Sequence, residues 1–337
     1  MSDPSGWEES QGELFCPPPT PDEIRQWFRS KPRAMEDKLM SVPEAVSRFV
    51  QDGDYLAIGS FGHTRIPMAV LYEIVRQRKR GLGFAGHTAV HDLEILLAGG
   101  CVDRVDVAYS FGHEFRPLRS PVAQRLIQQG KLRTAEWTNS SFSWRFKAAA
   151  MGVSFIPQKV MLGTDTYRYS AAKVIDCPFT GERYCALPAL YPDLAIIHVP
   201  RADRFGNCQV DGITMADHDL ARAARKLIIS TERIVDTELI RAKPDQTLVP
   251  CYLVDAVCEV PYGSHPCEMP YMYYFDEEHI ALYLKAAQEE ESLAAYLDKY
   301  VFGPRSFEEY LELCGGIAQL NKLKRIADLR EAPPYPW

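Results

Sequence analysis

From Ser41 to Met151 the chain alternates short apolar runs with segments of helical period, and this alternation restricts the fold more than any single motif. Ser41-Val42-Pro43-Glu44 carries a cap, a Pro near N1 and a Glu at N3, so it predicts a helix start. Val42, Ala45, Val46, Phe49 and Val50 then have helical spacing, and Asp52-Gly53-Asp54 ends the segment. Tyr55-Leu56-Ala57-Ile58-Gly59 is an unbroken apolar run, as a strand buried on both faces requires. Further strands are predicted over 82–86, 105–109 and 132–137, and helices over 67–80, 91–98, 121–129 and 141–151. The expected fold is α/β, a mainly parallel doubly wound sheet flanked by helices.

The rest of the chain fits one large domain. Asp176–Tyr184 reads as a hairpin turning at Gly181, and Asp193–Val199 is the strongest buried strand. A helix is predicted over 215–225, followed by strands over 227–230 and 253–260. After Tyr262 the pattern turns helical, over 277–288, 290–300, 306–313 and 318–326, giving a helical C-terminal region. No linker appears between Leu39 and Ile326. Residues 37–330 are therefore expected to form the domain, with 331–337 a tail. Residues 1–36 read as an N-terminal extension, partly disordered or docking on a partner. Within it the run Cys16-Pro17-Pro18-Pro19-Thr20-Pro21 bars regular structure. Thr20 and Pro21 can open a short helix over 22–29.

Composition excludes several classes of function. The 337 residues carry 38 Lys+Arg against 45 Asp+Glu, a net charge of −7 with no basic block, so neither nucleic acid nor an anionic membrane is an expected partner. No apolar run approaches the ~18–20 residues of a membrane span, and Met1–Thr20 lacks the basic start and apolar stretch of a signal peptide. A cytoplasmic protein with nine reduced cysteines is expected.

Chemistry concentrates where the predicted strands end. Ser60-Phe61-Gly62-His63, Phe84-Ala85-Gly86-His87 and Ser110-Phe111-Gly112-His113 place Gly-His at three consecutive strand ends. In an open α/β sheet those ends face the ligand crevice. His63, His87 and His113 admit three readings: donors to an anionic substrate, a three-histidine metal site, or polar residues at strand ends. No carboxylate completes a metal spacing, so no metal is expected. The segment Gly59-Ser60-Phe61-Gly62-His63-Thr64-Arg65-Ile66-Pro67 combines glycines, a hydroxyl, an Arg and a Pro opening a helix, a composition suited to a carboxylate. It lacks the third Gly of a dinucleotide fingerprint, and no P-loop motif occurs. A second candidate is Val260-Pro261-Tyr262-Gly263-Ser264-His265-Pro266, a rigid loop that would project Ser264 and His265. Without a G-x-S-x-G elbow it gives little support to a hydrolase. The aromatic run Tyr271–Phe275 suggests core or a subunit interface.

These motifs, in this order, resemble the A (alpha) subunit of family I coenzyme A transferases, nearest to the glutaconate CoA-transferase type. The resemblance runs from about Lys38 to Ile326. It includes Gly59, Phe61, Arg65 and Pro67, the Asp193–His198 strand, the Asp203…Gly206-Asn207 turn and the 221–224 helix. Its most specific part is Val254-Asp255-Ala256-Val257 leading to Pro261–Pro266. Tyr300-Val301-Phe302 and Tyr310-Leu311 fit as well.

The resemblance implies a heteromeric enzyme that moves CoA between carboxylates through a glutamyl-CoA thioester. The implied substrates are an acyl-CoA and a carboxylic acid, with no bound cofactor. In such families the nucleophilic Glu belongs to a Ser-Glu-Asn-Gly segment of the B subunit. This sequence contains no such segment, so a B (beta) subunit is the expected partner, in an A2B2 or larger assembly. The family's Gly-Gly-Phe loop corresponds to Gly59-Ser60-Phe61, with Ser60 in place of the second Gly. The residues and the resemblance together give an expected substrate-binding set of Gly59, Ser60, Phe61, Gly62, His63, Arg65, His87, His113, Ser264 and His265, with a dicarboxylate held by Arg65; the three histidines are not part of the family pattern and point to a specialised substrate. The same fold also serves CoA-ester hydrolases and decarboxylases. One ring-opening hydrolase type would need an acidic residue near Asn139 or Ser140, where this chain has none, leaving Glu136 as a fallback base.

Overall fold

A computed structural model describes residues 9–112 and 119–334. Seven parallel strands form the central sheet: β1 Tyr55–Phe61, β2 Leu82–His87, β3 Val102–Ala108, β4 Arg133–Trp137, β5 Leu194–Val199, β6 Lys226–Thr231 and β7 Ala256–Glu259. Their order is β7-β6-β5-β1-β2-β3-β4, as the doubly wound pattern requires. Two three-stranded sheets stand beside it. One, made of 155–158, 183–188 and 173–176, contains the expected hairpin.

The alternation of side chains along the strands divides the core into two layers. Leu56, Ile58, Val105, Leu194, Ile196 and Ile228 face the helices Val42–Phe49, Met68–Arg76, His91–Ala98 and Pro121–Gln128 and the C-terminal helices. Tyr55, Ala57, Ala195, Ile197, Leu227 and Ile229 face the helices Asn139–Ala150 and Asp217–Ala223. Each fully buried aliphatic side chain contributes about 1.5–3 kcal/mol, so both faces are held strongly. Asp106, buried in the second layer, accepts from Trp137 Nε1 at 2.6 Å and from the Tyr55 hydroxyl, and pairs with Arg145 at 3.2 Å.

The last strand is shorter than the sequence pattern suggested. Pro250 removes a backbone donor, and Cys251–Leu253 turns as a 3-10 helix before β7 begins at Ala256. The described part of the extension lies against its own chain. Thr20 and Glu23 form a reciprocal capping box that starts the helix Pro21–Ser30. Ile24 and Cys16 are buried, Trp27 meets Tyr191 edge-on, and Lys31 Nζ pairs with Asp255 at 3.2 Å. Further on, Lys38 Nζ donates to the Cys251 carbonyl at 2.6 Å. Nearer the start, Gln11 and Gly12 donate to the carbonyls of Arg168 and Ser170. All nine cysteines are free thiols, most of them buried. Among the described residues no helix is long and apolar enough to cross a membrane.

Candidate functional site

The strands β2, β3 and β4 follow one another on one side of β1, and β5, β6 and β7 on the other, so the β1/β5 boundary is the topological switch point. Ligands of open α/β sheets bind outside the carboxyl ends of the strands at such a point. The loop after β1 is held there by Asp217, the first residue of the helix Asp217–Ala223. Ser60 N–H donates to Asp217 Oδ1 at 2.9 Å. A Cβ on Gly59 would lie 2.6 Å from that oxygen, so Gly59 is small to admit Asp217 and not to admit a ligand. The Phe61 carbonyl accepts the Thr64 N–H at 2.9 Å, closing a tight turn that presents Gly62, at φ 58°, and His63.

Arg65 does not face the crevice, contrary to expectation. Its side chain is fully buried. Nη2 meets Asp217 Oδ2 at 3.0 Å and the Ile213 carbonyl at 3.0 Å, and Nη1 donates to the His198 carbonyl at 3.0 Å. A guanidinium already matched to a buried carboxylate and two carbonyls is a positioning group for the loop, not a clamp on substrate. Its acidic partner is 152 residues away, which no local motif announces.

The histidines do not converge as one cluster. His63 is half-buried, with its ring 5.7 Å from that of Phe275. His87 is buried at the end of β2, edge-on to Phe142, with Nε2 3.2 Å from Ser143 Oγ. Burial pushes its pKa down to about 4, against smaller opposing effects of Asn139 and Asp217, so it is neutral at pH 7. His113 lies outside the described residues. Among those residues no three of His, Cys, Asp or Glu converge into a metal-binding group.

Ser264 and His265 also depart from expectation. Both are fully buried rather than projected. His265 Nδ1 meets the Tyr310 hydroxyl at 2.9 Å and Nε2 meets Asp276 at 3.1 Å, so the ring fastens the C-terminal helices to the loop. Nearby, His198 bridges Ser230 Oγ and Glu232 Oε1, each at 2.8 Å. Glu232 also accepts from the Tyr273 hydroxyl at 2.5 Å and the Tyr262 N–H at 2.6 Å. This network fixes the ends of β5, β6 and β7.

Glu268 belongs to the loop although nothing in its local spacing marks it. Its N–H donates to the His63 carbonyl at 2.8 Å, its carbonyl accepts the Arg65 N–H at 2.8 Å, and Oε1 accepts from Thr64 Oγ1 at 2.8 Å. Burial raises its pKa, while the Thr64 hydrogen bond acts in the opposite direction. At the far strand, desolvation and then Asp165 raise the pKa of Glu136.

Two independent features mark the carboxyl edge of the sheet as a site. The first is backbone strain: Ser60 near the end of β1, Arg65 after it, Thr88 after β2, Tyr109 and Phe111 after β3, and Tyr262 after β7 all have φ between 48° and 67°. Left-handed conformations cost non-glycine residues about 1–2 kcal/mol and cluster at functional sites. The second is unmet polarity. Among the described residues, Ser60 Oγ, Ser110 Oγ and Ser264 Oγ are buried atoms without a hydrogen-bond partner. They end or follow β1, β3 and β7 respectively. Such atoms are costly unless something outside the chain satisfies them.

Comparison with known proteins agrees with this geometry. The coenzyme A transferase family matches residues 39–260. An uncharacterized protein of Archaeoglobus fulgidus is 53% identical over 334 residues, covering 98% of this chain and 74% of its own length. The A subunit of 3-oxoadipate CoA-transferase from Pseudomonas knackmussii is 31% identical, covering 81% of this chain and 96% of its own. The crystal structure of glutaconate coenzyme A-transferase from Acidaminococcus fermentans superimposes with a TM-score of 0.80 at 29% identity, covering 85% of this chain and 95% of that one. The chain belongs to the coenzyme A transferase family.

Proposed function

We propose that this chain is the A subunit of a heteromeric CoA-transferase whose crevice is completed by a B subunit. One observation carries the reading: among the described residues, buried hydroxyls at three strand ends lack partners, at the edge where the fold binds ligands. Substrate and partner subunit together would satisfy them.

In the reaction, a glutamate of the B subunit attacks the acyl-CoA carbonyl, giving an acyl-glutamyl anhydride and free CoA thiolate. The thiolate attacks the glutamyl carbonyl and releases the first carboxylate, leaving a glutamyl-CoA thioester. A second carboxylate attacks the glutamyl-CoA carbonyl and expels the CoA thiolate, giving a new mixed anhydride; the thiolate then attacks its acyl carbonyl, forming the new acyl-CoA and freeing the glutamate. This chain contributes binding and the exclusion of water, which would otherwise hydrolyse the thioester. Ser60, Gly62 and His63 contact the acid; Arg65, Asp217 and Glu268 hold the loop that carries them. Both relatives named for an acid are named for a dicarboxylate, glutaconate or 3-oxoadipate, and a dicarboxylate is the substrate class proposed here. No metal or bound cofactor takes part; CoA esters are substrates. An A2B2 assembly in the cytoplasm belongs to the same reading.

The test is co-purification with the B-type partner, followed by exchange of labelled CoA between an acyl-CoA and a panel of mono- and dicarboxylic acids. Exchange confined to the assembled complex supports the proposal. Release of free CoA without exchange would assign a hydrolase instead.

A further inference from the structure

A cavity of about 450 Å³ lies between the extension and the body of the protein, lined by Phe28, Lys31, Arg33, Ala150, Arg222, Tyr252 and Leu253. Its position separates it from the crevice. Ala150 ends the helix that starts at Asn139, Arg222 is near the end of the helix that starts at Asp217, and Leu253 precedes β7. Each element reaches the crevice at its other end, so the cavity sits at the opposite, amino-terminal edge of the sheet.

Its lining is unusual for a protein of net charge −7. Three cations contribute to it and no acidic side chain does. Lys31 is matched, to Asp255 at 3.2 Å and the Leu253 carbonyl at 2.9 Å. Arg222 donates one nitrogen to the His218 carbonyl at 2.8 Å and, like Arg33, forms no ion pair with a described carboxylate. Two aromatic rings, Phe28 and Tyr252, stand with the apolar Ala150 and Leu253. The volume is in the range of small-molecule sites, roughly 300–1,000 Å³. Guanidinium groups select phosphate oxygens, and aromatic faces select a planar ring.

We propose that this cavity binds a nucleoside phosphate, its base against Phe28 and Tyr252 and its phosphates on Arg33 and Arg222. Because the extension supplies Phe28, Lys31 and Arg33, the ligand would fasten the extension to the body. Two sources share this chemistry: a free nucleotide and the nucleotide end of coenzyme A.

Calorimetry on the full chain with ADP, adenosine, inorganic phosphate and coenzyme A tests the proposal without reference to CoA exchange. ADP should bind saturably and more tightly than adenosine or phosphate. Arg33→Glu together with Arg222→Glu should weaken ADP by about tenfold or more. Tyr252→Ala should weaken ADP and adenosine while leaving phosphate unchanged. Circular dichroism should show both variants folded; exposed Arg33 and Tyr252 make that the expected result. Coenzyme A that competes with ADP, and is lost in the charge-reversed variant, would identify the coenzyme as the source. ADP binding without that competition would identify a free nucleotide. Absence of ADP binding, or equal binding by folded wild-type and charge-reversed protein, would overturn the proposal. Phosphate binding as tight as ADP would overturn the role of the rings.

Discussion

Arg65 and Asp217 form an ion pair of 3.0 Å in which neither side chain reaches solvent. Asp217 uses its other oxygen to hold the Ser60 N–H, so one carboxylate fixes both ends of the turn after β1. Removing Arg65 strands that carboxylate in the core. Arg65→Met is therefore expected to cost about 3–5 kcal/mol of stability, read from the urea unfolding midpoint. Near-wild-type stability with only a raised KM for the acid would return Arg65 to the substrate pocket.

Ser60 carries a side chain at φ 64°, at the position of the second glycine in the family pattern that the sequence resembles. Ser60→Gly relieves left-handed strain and increases the freedom of the unfolded chain, two effects of about 1 kcal/mol each and opposite sign. Melting temperature should change little. Loss of the buried hydroxyl should raise KM for the carboxylic acid several-fold. An unchanged KM would make Ser60 a structural residue.

His87 gives a pH signature. Its folded pKa of about 4 lies below the ordinary 6.5, so the unfolded chain binds the extra proton between those values. Its contribution to stability is complete above pH 6.5 and declines as pH falls toward 4. From pH 7 to pH 5 that loss is about 2 kcal/mol. His87→Gln has no such titration, so the stability difference between wild type and variant should shift by that amount in the variant's favour. A difference independent of pH would mean that His87 titrates in the fold as it does in the unfolded chain, and a shift in the wild type's favour would mean that it is protonated in the fold.

The strand-and-helix rhythm could be read from the sequence because burial on both faces of a parallel sheet writes itself as local apolar runs. The helix His91–Ala98 and strand β5 fall where the pattern puts them. Side-chain roles at the crevice were less readable. Arg65 next to glycines suggests an anion clamp until Asp217 is known to lie beside it. His265 suggests a projecting base until Tyr310 and Asp276 enclose it. Glu268 was invisible because its place depends on strand order, not on spacing.

Glu268 borders the crevice with a raised pKa, so its negative charge develops at higher pH than that of an ordinary carboxylate. A charged Glu268 repels an ionised acid, and KM for the acid should rise with pH through that titration. Glu268→Gln should flatten the rise while keeping the hydrogen bond to Thr64. The same pH dependence in the variant would place the titrating group elsewhere.

Borohydride trapping reads the enzyme thioester directly. The co-purified complex should be inactivated by borohydride only after exposure to an acyl-CoA, with the reduced glutamate found in the B subunit. Acyl-CoA-independent inactivation, or none in a complex that still turns over acyl-CoA, would contradict a transferase in which this chain supplies half of the site.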